Sequence, residues 1–334
     1  NLKNCFEILH ILPFYPSSSD GGFSVTDHKN VNKELGTWHD IRSLSNHASI
    51  MADLILNHSS IKGKWFNSFI KEKEDYKNFF FTIDDNFDFS KVIRPRDHKL
   101  IQIYNYKKKN NKLWCTFSHD QIDLNFKDPL VLIEFIEIVL LLLSKGVTTF
   151  RLDAVAFIWK KNGTSCVNLP ETHEIVKLLR LIVNYINPHA LIVTETNLPR
   201  KENLSYFGNN DEANWIYNFP LPPLILYTFL FEDSSKISGW SKSMPPAQIN
   251  NAYLNFIASH DGIGMRPAEG ILDKIILDKL FKRVKKNGGK FSFRKVESKN
   301  KVYEANITLF DALKRTDFDK DGIFAVERYI AAHS

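Results

Sequence analysis

The sequence predicts an α/β fold on a parallel sheet, and favours a (β/α)8 barrel over an open doubly-wound sheet. Three observations lead there. Apolar runs of strand length alternate with longer helix-patterned segments, and six strand–helix units can be read along the chain. No GxGxxG or GxxxxGKS loop follows any strand, which weakens a nucleotide-binding sheet. Polar groups fall at the C-terminal ends of the strands, where a barrel gathers residues from distant parts of the sequence around one axis.

In chain order, "FEILHILPF" (6–14) reads as the first strand, closed by Pro13 and the turn-rich "PSSSDGG" with Asp20. "GTWHDIRSLSNH" carries Thr37 and Asp40 at N-cap and N3 spacing, the start signal of an amphipathic helix. "ASIMADLILNH" (48–58) is a second strand, ending in Asn57 and His58. Residues 61–120 break the alternation with aromatic and charged segments, and read as an insertion with its own small structure. A helix at 129–145 then leads to "VTTFRLD" (147–153). The helix "ETHEIVKLLRLIVNYI" precedes "ALIVTET" (190–196), which holds Glu195. "NWIYNF" (214–219) and "AYLNFIASHD" (252–261) complete the strands, the last ending in His260 and Asp261.

Composition narrows the function class. The 334 residues are 43% hydrophobic and 25% charged with a net charge of +6, a globular balance rather than a disordered one. The lysines are spread along the chain apart from "KKKNNK" (107–112) and "FKRVKKNGGK" (281–290), which read as solvated loops or faces, so no nucleic-acid partner is expected. The apolar run "LVLIEFIEIVLLLL" (130–143) carries Glu134 and Glu137 and is too short to span a bilayer; no membrane partner is expected. Three cysteines without CxxC spacing argue against a disulfide framework or structural zinc, and no signal peptide is visible; the expected location is a reducing cytoplasm. "DFDKDG" (317–322) opens like a calcium loop, but its twelfth position is Arg328 where a glutamate is needed, so it reads as a surface turn. No metal site is expected. The chain starts at Asn1 almost within a strand and ends in a helical pattern, so a piece of a longer protein is expected.

The chemistry concentrates on "TTFRLDAVAF" (148–157). Arg151 and Asp153 are two apart on a strand and share one face, and a fixed guanidinium favours the ionised carboxylate. A carboxylate nucleophile needs that ionisation at neutral pH. Glu195 ends the next strand, and strands ~4.8 Å apart can bring two carboxylates within the ~5–5.5 Å of a retaining glycosidase. Any one of the 38 acidic residues is more often a surface group. Three of them at strand ends, beside Arg151, His58 and His260, form a pattern that a surface role does not explain.

At "DLILNH" (53–58), "QIDLN" (121–125), "FRLDAVAF" (150–157), "TET" (194–196) and "ASHD" (258–261), in this order, the sequence resembles the α-amylase superfamily of retaining glycoside hydrolases and transglycosidases. "LPFYPSSSDGGFSVTDH" (12–28), "GTSCVNLPETH" (163–173), "FPLPPLILYT" (219–228) and "SHDGIG" (259–264) resemble its sucrose phosphorylase branch, which includes glucosylglycerate phosphorylases; "AFIWKKNGTSC" leans toward the latter. The resemblance implies a TIM-type barrel with Asp153 as nucleophile, Glu195 as general acid/base and Asp261 as transition-state stabiliser. Asp20, Phe23, His58, Arg151 and His260 would line the glucosyl subsite, and Gln121 and residues 107–112 are candidates for phosphate. It implies no cofactor; the substrates would be an α-glucoside and phosphate. Residues 1–60 would carry the second and third strand units, 61–120 the small inserted domain, and 121–334 the fourth to seventh units. The first and last strands and a C-terminal domain would be absent. A hydrolase or transglucosidase of the superfamily is the alternative, and a non-catalytic amylase-like binding protein or inactive fragment the second.

Overall fold

A computed structural model describes residues 6–96, 98–106, 109–296, 299–314 and 323–334. The chain forms two compact units, residues 1–94, 98–196 and 206–215 in the first, and 95–97, 197–205 and 216–334 in the second.

The first unit is built on parallel strands. β1 (Ile8–Ile11) pairs with β2 (Ser49–Ile55). Beyond β2, the strand β3 (His58–Ser60) turns away, and β4 (Ile101–Tyr106) and β5 (Lys109–Trp114) form an antiparallel hairpin. β6 (Gln121–Asp123) runs antiparallel to β3. β7 (Val147–Asp153) pairs in parallel with β2 on one side and β8 (Leu191–Thr194) on the other. Every residue of β2 from Ile50 to Ile55 is buried, the signature of a parallel sheet covered on both faces. Helices cover it: Trp38–Ser45 leads into β2, Pro129–Ser144 into β7 and Pro170–Ile186 into β8. The first starts at the expected capping box, with the Asp40 carboxylate accepting the Thr37 N–H at 2.8 Å. The second starts at Asp128, whose carboxylate accepts the Leu130 N–H at 3.0 Å, with Pro129 preorganising the first turn.

Residues 61–120 hold the helix Lys64–Ile70 and the β4–β5 hairpin. Phe81, Ile83, Leu100 and Trp114 of this segment form a separate apolar cluster with Cys166 from the chain after β7, and Phe87, Phe89, Val92 and Ile101 pack against it.

The chain enters the second unit within β9 (Trp215–Tyr217), and β10 (Ala252–Leu254) follows the helices Leu221–Phe231 and Ser235–Ser243. β11 (Ile263–Gly264), β12 (Lys290–Val296) and β13 (Lys299–Asn306) form an antiparallel sheet in the order β11–β13–β12. Its core joins Leu224, Leu230 and Trp240 to Ile263, Leu280 and Ala305.

Several strands are shorter than expected. The first keeps only Ile8–Ile11, and the strand expected to run to His58 breaks after Ile55, leaving His58 on β3. The strand expected at 252–261 stops at Leu254, so His260 and Asp261 lie in a turn. The reason is the pairing with β13: Gly262 sits at φ 108, where a Cβ would meet the Ala305 carbonyl oxygen at 2.3 Å, and the chain reverses there to run against that strand. The calcium-like turn at 317–322 and Lys107–Lys108 lie outside the described residues.

His28 gives the first unit a pH dependence. Its ring stacks on Trp65 at 4.4 Å and meets Phe135 edge-on at 5.7 Å. Burial, reinforced by nearby His58, pushes its pKa down from 6.5 to about 3. Between those values the unfolded chain binds a proton that the native state refuses. The contribution is therefore intact above pH 6.5 and is lost as pH falls toward 3, by up to ~1.4 kcal/mol per pH unit. Urea unfolding at several pH values should show this slope, and His28→Phe should flatten it.

Candidate active site

β7 presents alternate residues to one face, so Thr149, Arg151 and Asp153 point together while Phe150 and Leu152 pack on the opposite side. The register sets Asp53 of β2 directly beside Arg151. Arg151 Nη1 lies 2.7 Å from Asp153 Oδ1 and 2.5 Å from Asp53 Oδ1, and Nη2 lies 4.0 Å from Glu195 Oε2. One guanidinium thus serves three carboxylates. Asp53 is wholly buried, while the Asp153 and Glu195 side chains keep 12% and 16% of their surface open. Burial works against ionisation of Asp53, yet Arg151 and His10 together hold its carboxyl below the usual range.

Glu195 follows β8, its N–H donating to the Leu152 carbonyl at 3.1 Å. Its Oε2 accepts the Ala154 N–H at 3.0 Å. Ala154 has φ 49, a left-handed conformation uncommon for a residue with a Cβ, and this turn aims its N–H at Glu195. The nucleophile candidate and the acid/base candidate are therefore linked through one strained backbone position.

The loop after β1 closes over this face. Gly22 sits at φ 111 with its Cα so near Pro13 that a Cβ would meet the Pro13 carbonyl oxygen at 2.7 Å. Phe23 then packs its ring under the Arg151 guanidinium, 5.9 Å from the ring centre. The Phe23 carbonyl accepts from His58 Nε2 at 3.2 Å, which makes Nε2 the protonated nitrogen and leaves Nδ1 facing Asn57 Nδ2 at 3.4 Å. Burial pushes the His58 pKa down, with Asp153, Asp123 and Asp20 pulling the other way. Asp20 Oδ2 accepts from Gln121 Nε2 at 2.7 Å. Asp20, Phe23, His58, Gln121, Arg151, Asp153 and Glu195 thus form one connected group in the first unit.

Three supporting residues escaped the sequence reading. Asp53 stands in the middle of an apolar run, where a carboxylate demands a partner. Asp120 gathers the loop, its Oδ2 accepting from Ser18, Ser19 and Ser24 at 2.5, 2.5 and 2.8 Å. Lys160 is buried with Nζ 2.5 Å from Asp123 Oδ2 and 2.9 Å from Asn57 Oδ1. Burial pushes its pKa down, and Asp123 opposes that.

In the second unit, His260 Nε2 lies 3.5 Å from Asp261 Oδ2, and Asn306 Nδ2 donates to the Asp261 carbonyl at 3.1 Å. Buried Glu304 pairs with Arg96 at 2.9 Å. Burial raises the Glu304 pKa, Arg96 lowers it, and Asp261 raises it further. Among the described residues no cluster of three His, Cys, Asp or Glu side chains is placed to hold a metal ion. Nor, among them, is any helix long and apolar enough to cross a membrane.

The family model described as the alpha amylase catalytic domain matches residues 5–262. The chain belongs to the alpha-amylase family. Its parallel half-barrel sheet is that of the TIM-barrel-like alpha-amylase fold. The chain is 44% identical to a glucosylglycerate phosphorylase of Allomeiothermus silvanus, covering 99% of this chain and 60% of that protein. It is 45% identical to a glucosylglycerate phosphorylase of Spirochaeta thermophila, over 96% of this chain and 54% of that protein. The crystal structure of sucrose 6F-phosphate phosphorylase from Thermoanaerobacter thermosaccharolyticum superposes with a TM-score of 0.85 at 25% identity, covering 98% of this chain and 66% of that one. The chain spans little more than half the length of the two glucosylglycerate phosphorylases.

Proposed function

We propose that the protein is a retaining α-glucoside phosphorylase whose donor is glucosylglycerate, with sucrose as the less favoured donor. The observation that carries this is the 44% identity to a glucosylglycerate phosphorylase over 99% of the chain. The carboxylates grouped on Arg151 support the chemistry. Asp153, held by Arg151 at 2.7 Å, attacks the anomeric carbon and forms a β-glucosyl ester. The bond to the glycerate oxygen breaks as Glu195 donates its proton to that oxygen. Phosphate then attacks the same carbon, Glu195 takes its proton, and Asp153 leaves with α-glucose 1-phosphate formed and configuration retained. Asp261 stabilises the oxocarbenium-like transition state.

Asp20, Phe23, His58, Arg151 and His260 bind the glucosyl group. Gln121 and residues 107–112 are the phosphate candidates, and the 2.7 Å contact to Asp20 supports placing Gln121 beside the glucosyl subsite. In the same reading residues 1–60 and 121–334 supply the second to seventh barrel strand units, 61–120 form the inserted domain, and the protein works in the cytoplasm. The test is to incubate the full-length protein with glucosylglycerate or sucrose, with and without phosphate. Phosphate-dependent cleavage is expected; release of free glucose at a phosphate-independent rate identifies a hydrolase instead.

A further inference from the structure

We propose that His10 is a positioning residue: its hydrogen bond to Asp53 keeps the Arg151 guanidinium directed at Asp153. The starting point is a competition. Arg151 Nη1 is shared by Asp53 Oδ1 at 2.5 Å and Asp153 Oδ1 at 2.7 Å, so whatever strengthens its bond to one weakens its bond to the other. Asp53 has every advantage in that competition, being wholly buried and set beside Arg151 by the strand register. A lone buried carboxylate draws a nearby cation strongly.

His10 offsets this. It lies on β1, and its Nε2 is 2.9 Å from Asp53 Oδ2, the oxygen that Arg151 does not take. An ionised carboxylate only accepts, so Nε2 carries the proton and donates. That bond takes up part of the Asp53 charge and leaves more of the guanidinium's hydrogen-bonding strength to Asp153. The Tyr15 hydroxyl donates to the Asp53 backbone carbonyl at 3.0 Å, fixing the main chain and leaving the carboxylate oxygens to His10 and Arg151. Glu195, 4.0 Å from Arg151, and His58, which interacts electrostatically with Asp153, Asp123 and Asp20, also face this chain of contacts. Among the described residues, the Asp53 Oδ2 that His10 holds is contacted by neither of them.

The proposal rests on the reading of Asp153 as nucleophile, and its test needs no turnover. In full-length protein labelled with carboxyl-13C aspartate, the Asp153 resonance is assigned through its loss in Asp153→Asn. His10→Phe, which cannot donate, should move the Asp153 titration to higher pH. His10→Gln, whose amide restores a donor, should leave it at the wild-type position. Where glucosyl transfer is measured, the acid limb of the kcat/KM profile should move in the same direction for His10→Phe and not for His10→Gln. An unmoved Asp153 titration in His10→Phe, or an equal shift in both variants, overturns the proposal. Should His10→Phe fail to fold, 15N spectra of wild-type His10 decide: protonation at Nδ1 alone overturns it, and protonation at Nε2 upholds it. A wild-type protein without phosphate-dependent cleavage would overturn the phosphorylase reading while the Asp153 titration still decides the role of His10.

Discussion

Asp153→Asn in the full-length protein is expected to lower kcat by roughly 10⁴–10⁶-fold, the scale on which removal of an attacking group acts. An asparagine amide keeps the shape of the side chain and its contact with Arg151 but cannot form the glucosyl ester. Binding of donor should be little changed, because Asp20, His58 and Gln121 keep their own contacts with Phe23 and each other. The loss should therefore fall on kcat rather than KM. Steady-state kinetics with glucosylglycerate and phosphate would check it. Near-wild-type turnover would remove Asp153 from the nucleophile's role, whatever the geometry around Arg151.

The second large effect concerns stability. Lys160→Met should destabilise the native state by roughly 3–5 kcal/mol, since it leaves a buried carboxylate without its cation. Lys160 Nζ contacts both Asp123 and Asn57, and Asn57 Nδ2 also donates to Asp123 Oδ2 at 3.0 Å and faces His58. The Thr116 N–H and hydroxyl donate to the same Asp123 carboxylate at 2.8 and 2.5 Å. These neutral donors cannot replace the charge, although they satisfy the geometry. Adding Asp123→Asn to Lys160→Met should therefore recover a good part of the loss, because the uncompensated charge goes with it. Urea unfolding of the two single variants and the double variant would measure the coupling directly. Additive losses would mean that Lys160 acts by packing alone.

What could be read from the sequence depended on whether the cause was local. The bounds of β7 (147–153) are legible to the residue, because a run of β-branched and aromatic residues after Gly146 ends in charged residues that the sheet cannot bury without partners. The pairing of Arg151 with Asp153 followed from strand alternation alone. The strand expected to end at Asp261 was too long, because the reversal at Gly262 is dictated by β13, some forty residues later in the chain. Asp53, Asp120 and Lys160 were missed for the same reason. Each is explained by a partner far along the chain: Arg151 for Asp53, the serines of the Asp20 loop for Asp120, and Asn57 and Asp123 for Lys160. A charged residue inside an apolar run, as Asp53 is, was the available signal. It says that a partner exists and not which one. The placement of Glu195 shows the same limit: its strand position was legible, whereas the left-handed turn at Ala154 that holds its carboxylate was not.

In the proposed mechanism Asp153 carries the glucosyl group between donor and phosphate. The most direct measurement is to mix full-length protein with glucosylglycerate in the absence of phosphate, quench in acid within the first turnovers, and map the peptides by mass. One hexosyl unit is expected on the peptide containing Asp153, removed when phosphate is added before the quench. A hexosyl unit on a different residue, or cleavage of the donor with no adduct on any peptide, would contradict it.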